Sequence, residues 1–259
     1  MEELQVFLLG VVQGLTEFLP VSSSGHIEIF KFVFNITFLK NHGLLLTLVL
    51  HFATALSTIW VFKNDILKIF LNNTKQGNRF VLNIIISMIP SVFVGLFFEK
   101  LINDLFNSNI LLVGVMLLVT ATFLYKTDKA NPVLKSISLK NAFLIGIIQA
   151  FSILPGISRS GATIAMAVFL GIDKNEAARF SFLMVIPLIF GSMSKSVLDL
   201  SNTETLNFSP ILFVGFISAF FTGIIACKLM IKLVKKSQLK YFGLYCFIVG
   251  LLAIAYEII

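Results

Sequence analysis

The chain has 259 residues, of which 57% are hydrophobic and 13% charged, with 28 phenylalanines, a net charge of +7 and a mean hydropathy of +0.95. Soluble domains are roughly 45–50% apolar, and here the apolar residues fall in blocks long enough to cross a ~30 Å hydrocarbon core, which takes about 20 helical residues; a soluble globular fold is excluded. The basic residues lie in short loops between the blocks and form no stripe on one face, so a positive-inside bias accounts for them and nucleic acid is not an expected partner.

The first apolar stretch covers residues 4 to 33 and is interrupted in its middle by Pro20, Ser22, Ser23, Ser24 and Gly25. The preceding Met1-Glu2-Glu3 lacks the basic start of a cleaved signal peptide, and Gln13 and Glu17 stand where its core would be apolar, so this segment is expected to remain in the mature protein. Three full spans are predicted next, over 44–62, 80–98 and 109–125. A second interrupted stretch covers 141 to 171, and three more spans follow at 178–196, 210–230 and 240–258. Each half of an interrupted stretch reads as too short to cross. Broken helices are tolerated at membrane depth where their freed backbone groups face protein or a cavity, so both stretches are expected to be re-entrant hairpins lining a site. Cys227 and Cys246 lie inside apolar blocks without metal-ligand spacing and read as small hydrophobes.

The two interrupted stretches resemble each other. Gly10-Val11-Val12-Gln13 matches Gly146-Ile147-Ile148-Gln149, and a constant offset of 136 carries Ser22, Ser24 and Gly25 onto Ser158, Ser160 and Gly161. The chain therefore reads as an internal duplication, with a first repeat over 1–125, a second over 141–259 and a linker over 126–140, together forming one all-α membrane domain. Three spans per repeat would invert the second copy. The basic loops after the first, third and fifth spans contain Lys63, Lys68, Lys75 and Arg79, then Lys126, Lys129, Lys135 and Lys140, then Lys228, Lys232, Lys235, Lys236 and Lys240; they alternate with acidic or nearly neutral loops at 99–108 and 197–209. The positive-inside rule places the basic loops in the cytoplasm and both termini outside, with the hairpins entering from opposite faces and meeting near the midplane.

Each hairpin tip is a serine-rich turn opening a helix, and a helix N-terminus offers unpaired N–H donors with a partial positive charge. Two such ends facing each other would cradle a phosphate through Ser22, Ser24, Gly25, Ser158, Ser160, Gly161 and Thr163, although simple N-capping is the commoner use of serine there. Arg159 stands between two serines in a stretch otherwise devoid of charge; an intramembrane arginine costs at least ~2.5–3.5 kcal/mol and is functional by default, with a salt bridge to Glu17 as the alternative. Glu17 and Gln13 share one helical face, and a buried carboxylate there suits a general base or a ligand for a hard cation. Ser23, His26, Glu17 and Arg159 make up a nucleophile, base and oxyanion-stabiliser set. His51, early in the first span, is a further candidate for the cavity wall; His42 has no such neighbours.

Gln13-Gly14-Leu15-Thr16-Glu17 through Pro20-Val21-Ser22-Ser23-Ser24-Gly25-His26 resembles the first signature, (E/Q)xxxE, of the bacterial undecaprenyl-diphosphate phosphatases, the bacitracin-resistance family. Pro155 to Thr163 resembles the second, PGxSRSxxT. The resemblance covers essentially the whole chain. It implies a multi-pass, often dimeric enzyme of the bacterial cytoplasmic membrane that removes one phosphate from the polyprenyl diphosphate carrier, with Mg²⁺ or Ca²⁺ and a site open to the outer face. By the same resemblance Ser23 matches the nucleophile, a role also considered for His26. Glu17 matches the essential acid and a candidate metal ligand, Arg159 the diphosphate-binding arginine, and Ser22, Ser158, Ser160 and Thr163 the polar lining. Two positions depart from it: Gln13 stands where many members have a second glutamate, and Glu28 where an apolar residue is expected. A lipid-phosphate transporter or flippase is the rival reading, since inverted repeats and broken helices also build transporters; the Ser-His-Glu set favours the enzyme.

Overall fold

The computed structural model describes residues 2–34, 39–71, 74–105, 109–130, 136–201 and 210–258, and among them the only regular structure is helical. The twelve helices are α1 (Glu2–Phe18), α2 (Ser23–Phe34), α3 (Leu39–Val61), α4 (Lys63–Leu71), α5 (Lys75–Phe97), α6 (Glu99–Leu105), α7 (Ile110–Lys129), α8 (Leu139–Phe151), α9 (Arg159–Phe169), α10 (Lys174–Ser201), α11 (Ile211–Lys235) and α12 (Leu239–Ile258). Every predicted span is a helix. Helices α5, α7, α10, α11 and α12 are each long and apolar enough to cross a membrane, and the sixth candidate is the pair α3–α4, bent by 71° at Phe62. The charged residues that bound the apolar blocks extend the helices beyond them, because intrahelical hydrogen bonding continues into the interface after apolarity ends. Lys135 and parts of the two acidic or neutral loops lie outside the described residues.

The interrupted stretches form the helix pairs α1–α2 and α8–α9. Three of these four helices have 11 to 13 residues. Helix α1 is longer than expected for a half-helix, with 17 residues and a length of about 25 Å.

Water does not drive helices together inside a bilayer, so close approach depends on small residues at the contact. Helix α1 packs on α11 through Gly10 and Gly14: a methyl at Gly10 would lie 2.6 Å from the Gly215 carbonyl oxygen, and one at Gly14 2.6 Å from that of Ala219. Helix α8 packs on α5 in the same way, with Gly146 against the Ser87 backbone. Helices α7 and α12 meet through Gly114 and Gly250. Small hydroxyls fill the remaining interior. Ser57, buried on α3, donates to the Phe220 carbonyl of α11 at 2.8 Å. Large side chains such as Phe97, Phe213 and Leu252 are exposed on the perimeter, where lipid tails would cover them.

The basic loops gather at one end of the bundle. Arg179, near the start of α10, pairs with Asp65 of α4 at 3.2 Å, and Lys174 donates to Ser237 after α11 at 2.6 Å. Asp128 at the end of α7 accepts from the Lys240 amide at 2.9 Å. Lys195 pairs with Glu99, joining α10 to α6.

The packing makes a direct prediction. Gly146→Ala, forced against the Ser87 backbone, is expected to lower stability by about 2 kcal/mol or more, whereas Gly95→Ala, with open space around it, is expected to be neutral or stabilising by up to ~1 kcal/mol. Melting temperatures of the two variants in detergent distinguish them.

Candidate active site

Two turns meet at the centre of the molecule. The first, between α1 and α2, is closed by Ser22, whose φ of 72° lies in the left-handed region that non-glycine residues seldom adopt. Its Oγ accepts from the Gly25 amide at 3.3 Å and its carbonyl from the His26 amide at 3.1 Å, so Ser22 caps α2. The second turn ends at Ser158, which caps α9 with the same hydrogen bonds from an extended backbone (φ −76°): its Oγ accepts from the Gly161 amide at 3.1 Å and its carbonyl from the Ala162 amide at 2.8 Å. The paired serines also repeat, with Ser22 and Ser24 hydroxyls 3.4 Å apart and Ser158 and Ser160 hydroxyls 3.4 Å apart. The N-capping role weighed from the sequence is thus real at both tips, and it leaves the first amides of each helix without intrahelical partners.

The tips touch. A methyl at Gly25 would lie 3.1 Å from the Gly156 Cα, and one at Gly161 would lie 3.0 Å from the Pro20 Cβ. The offset of 136 converts one contact into the other. Ser160 adds a hydrogen bond across the seam, donating to the Phe18 carbonyl at 3.3 Å.

Glu17 ends up between the two helix starts. Its Oε2 accepts from the Ser23 hydroxyl at 2.8 Å and from Gln13 Nε2 at 3.2 Å; its Oε1 accepts from Arg159 Nη2 at 2.5 Å. The ion pair considered as the alternative for Arg159 is therefore present, and both side chains are largely buried, at 9% exposure for Glu17 and 14% for Arg159. The second guanidinium nitrogen, Nη1, donates to the Ser181 carbonyl at 3.3 Å. The Thr163 and Ser181 hydroxyls lie 2.6 Å apart, and Thr163 donates to the Arg159 carbonyl at 2.8 Å.

Of the four residues read as catalytic, Glu17, Ser23 and Arg159 form one connected network. His26 stands apart from it. Its Nδ1 is 2.8 Å from the Ser22 carbonyl, so Nδ1 carries a proton, and its Nε2 is 2.8 Å from the Tyr245 hydroxyl. His51 directs Nδ1 to the Thr47 carbonyl at 2.8 Å, and the side chain of His42 lies outside the described residues. Glu28 is buried. Gln13 is fully buried, and its Oε1 has no hydrogen-bond partner.

Three contributors went unnoticed in the sequence. Thr120 of α7 accepts from the Ser158 amide at 3.0 Å and donates to the Gly156 carbonyl at 3.1 Å, clamping the second turn where Gly156 has φ +98°. Ser181 holds Arg159, and Tyr245 holds His26. Each is a polar residue inside a predicted span, which is the one signal the sequence carried for them.

The arrangement can orient a hydroxyl nucleophile on a carboxylate while presenting a guanidinium and two helix N-termini to an anion. Comparison with known proteins agrees with that chemistry. A family model described as bacitracin resistance protein BacA matches residues 6–252. The undecaprenyl-diphosphatase of Christiangramia forsetii is 53% identical over 99% of this chain and 98% of its own length. Those of Bacteroides fragilis and Methanococcus vannielii are 45% and 43% identical, over 98% and 96% of this chain and 98% of each relative.

Thr120→Val keeps the shape of the residue but leaves a buried amide and a buried carbonyl unpaired. It is expected to cost about 2 kcal/mol, read as a lowered melting temperature, with Thr120→Ser close to the parent.

Proposed function

The chain belongs to the bacitracin resistance protein BacA family, and from that membership together with the joined tips we infer that it dephosphorylates undecaprenyl diphosphate within the membrane. The observation that carries this reading is the Glu17 carboxylate held between the Ser23 hydroxyl and the Arg159 guanidinium. The substrate's terminal phosphate would sit over the starts of α2 and α9, where amides and positive helix ends favour an anion. Ser23 Oγ attacks the terminal phosphorus in line as its proton passes to Glu17; the anhydride P–O bond breaks and undecaprenyl phosphate leaves. Glu17 hands that proton to the departing phosphate; water then attacks the phosphoserine, its proton passing through Glu17 to Ser23 Oγ as the Oγ–P bond breaks, and inorganic phosphate is released. Arg159 neutralises the equatorial phosphate oxygens, the main source of catalysis in phosphoryl transfer, and His26 shares the proton transfers with Glu17. A water in the place of Ser23 Oγ, with Glu17 as its base, is the variant of this mechanism without a covalent intermediate.

The family resemblance implies Mg²⁺ or Ca²⁺. Among the described residues no three His, Cys, Asp or Glu side chains cluster, so a cage built of protein carboxylates does not fit. A cation carried largely by the diphosphate does fit: Glu17 and the unpartnered Gln13 Oε1 would add two oxygens to those of the phosphates. When bound it would supply further neutralisation of phosphate charge.

The two repeats are proposed to lie inverted, with both hairpins re-entrant, both termini outside and the site opening to the outer face. The exchange of tip contacts under one offset supports the inversion, and the gathering of basic loops at one end supports the orientation. A homodimer is carried forward as part of the proposal from the family resemblance alone. The transport reading gains nothing from the relatives, whose names are those of phosphatases.

Purified protein in detergent is expected to release phosphate from undecaprenyl diphosphate, with loss of activity on chelation of divalent cations. Glu17→Ala should abolish release and Arg159→Ala should lower kcat/KM by about 10²–10³-fold; full activity in either variant would overturn the mechanism. For orientation, both native cysteines are buried, so Lys236→Cys is expected to react with an impermeant maleimide in inside-out vesicles and not in intact cells.

A further inference from the structure

His26 is gripped from both sides of its ring. Nδ1 faces the Ser22 carbonyl, which can only accept, so that nitrogen is a permanent donor. The other nitrogen, Nε2, faces the Tyr245 hydroxyl of α12 at 2.8 Å, and the two rings stack with centroids 5.5 Å apart and planes inclined by 14°. The next residue ties the same helix to the first tip, the Cys246 thiol donating to the Pro20 carbonyl at 3.6 Å. Tyr245 is half-exposed, in keeping with a place at the rim of the site.

We propose that Tyr245 is a positioning residue for the reaction, holding His26 in one orientation through gain and loss of its proton. The chemistry of a phenol suits this role. When His26 is neutral, with its proton on Nδ1, the Tyr245 hydroxyl donates to the Nε2 lone pair; when Nε2 is protonated, the phenol oxygen accepts from it. The Ser22 carbonyl accepts from Nδ1 in both states. The imidazole therefore need not turn or change tautomer as it gains and loses a proton. Apolar neighbours would hold only one of these states, and a carboxylate would favour the charged one.

This inference rests on the proposed hydrolysis for its kinetic consequence and on geometry alone for its spectroscopic one. The chain has three histidines, so protein labelled with ¹⁵N-histidine gives a spectrum in which His26→Gln identifies the His26 signals. Tyr245→Phe keeps the stacked ring and removes the hydroxyl. It is expected to shift the His26 Nε2 resonance while leaving Nδ1 in place, to lower kcat by about tenfold, the scale of one lost hydrogen bond, and to change KM by less than about twofold. In the His26→Gln background the same substitution is expected to have no further effect on kcat, since a positioning residue acts only through its partner. An unmoved Nε2 signal, a parental kcat, or an equal loss in the His26→Gln background each overturns the proposal. Absence of phosphate release by the parent protein would instead overturn the reading of the function, with the spectroscopic arm still deciding whether the contact exists.

Discussion

Two opposite charges meet in the interior of this protein, from residues 142 positions apart, and the rest of the fold is arranged to let them meet. Glu17 and Arg159 are costly to bury singly; buried together, each removes much of the desolvation cost of the other only if the geometry is close and their remaining hydrogen-bonding groups are filled. That requirement propagates outward. Ser23 and Gln13 occupy the other carboxylate oxygen, and the Ser181 carbonyl accepts from the guanidinium. The pair can close only if the two tips are in van der Waals contact, which depends on the absence of side-chain bulk at Gly25 and Gly156. Contact between the tips depends in turn on α1 lying tight against α11 and α8 against α5, where glycine and small hydroxyl residues face each other. The ion pair contributes little net stability for its cost. Its retention fits the proposed reaction, in which the guanidinium would turn toward an anion between the helix starts.

The duplication explains how one backbone design supplies both halves of the chemistry. Under the offset of 136, Ser23 and Arg159 are equivalent residues, each the first of its helix, and both reach Glu17. The position equivalent to Glu17 is Ile153, and that equivalent to His26 is Ala162. The two tips thus share the serine cap and the positive helix end, and differ in the turn before the cap and in the side chains set upon them: one carries Ser23, Glu17 and His26, the other Arg159. In the proposed reaction a phosphate between them would meet two similar helix ends and one asymmetric set of side chains.

Polar groups inside an apolar bundle are tolerated here by local pairing. Buried hydroxyls on the spans donate to carbonyls one turn back or across the helix contact. Gln13, its equivalent Gln149 and Asn83 are exceptions, each with its amide nitrogen engaged and its oxygen left open.

The membrane character, the apolar helices, five long enough to cross and a sixth bent candidate, and the polar residues Glu17, Ser23 and Arg159 at the breaks were all legible in the amino-acid sequence. Each rests on a local rule: hydrocarbon thickness fixes the length of an apolar helix, proline and glycine break it, and a charge in an apolar stretch needs a reason. The repeat was legible because duplicated tips keep duplicated residues. What the sequence did not contain was direction. His26, grouped with Ser23 and Glu17 by proximity along the chain and by the i, i+3 spacing that places it beside Ser23 on α2, turns its ring to Tyr245 of α12 instead. Thr120, Ser181 and Tyr245 looked like ordinary polar interruptions of apolar spans, and only the docking of α7, α10 and α12 against the tips brought their hydroxyls and carbonyls within bonding distance. Local composition determines which segments enter the bilayer and which residues are too polar to be there idly; which polar groups pair is a matter of a few ångströms between distant segments, and that is decided when the helices pack.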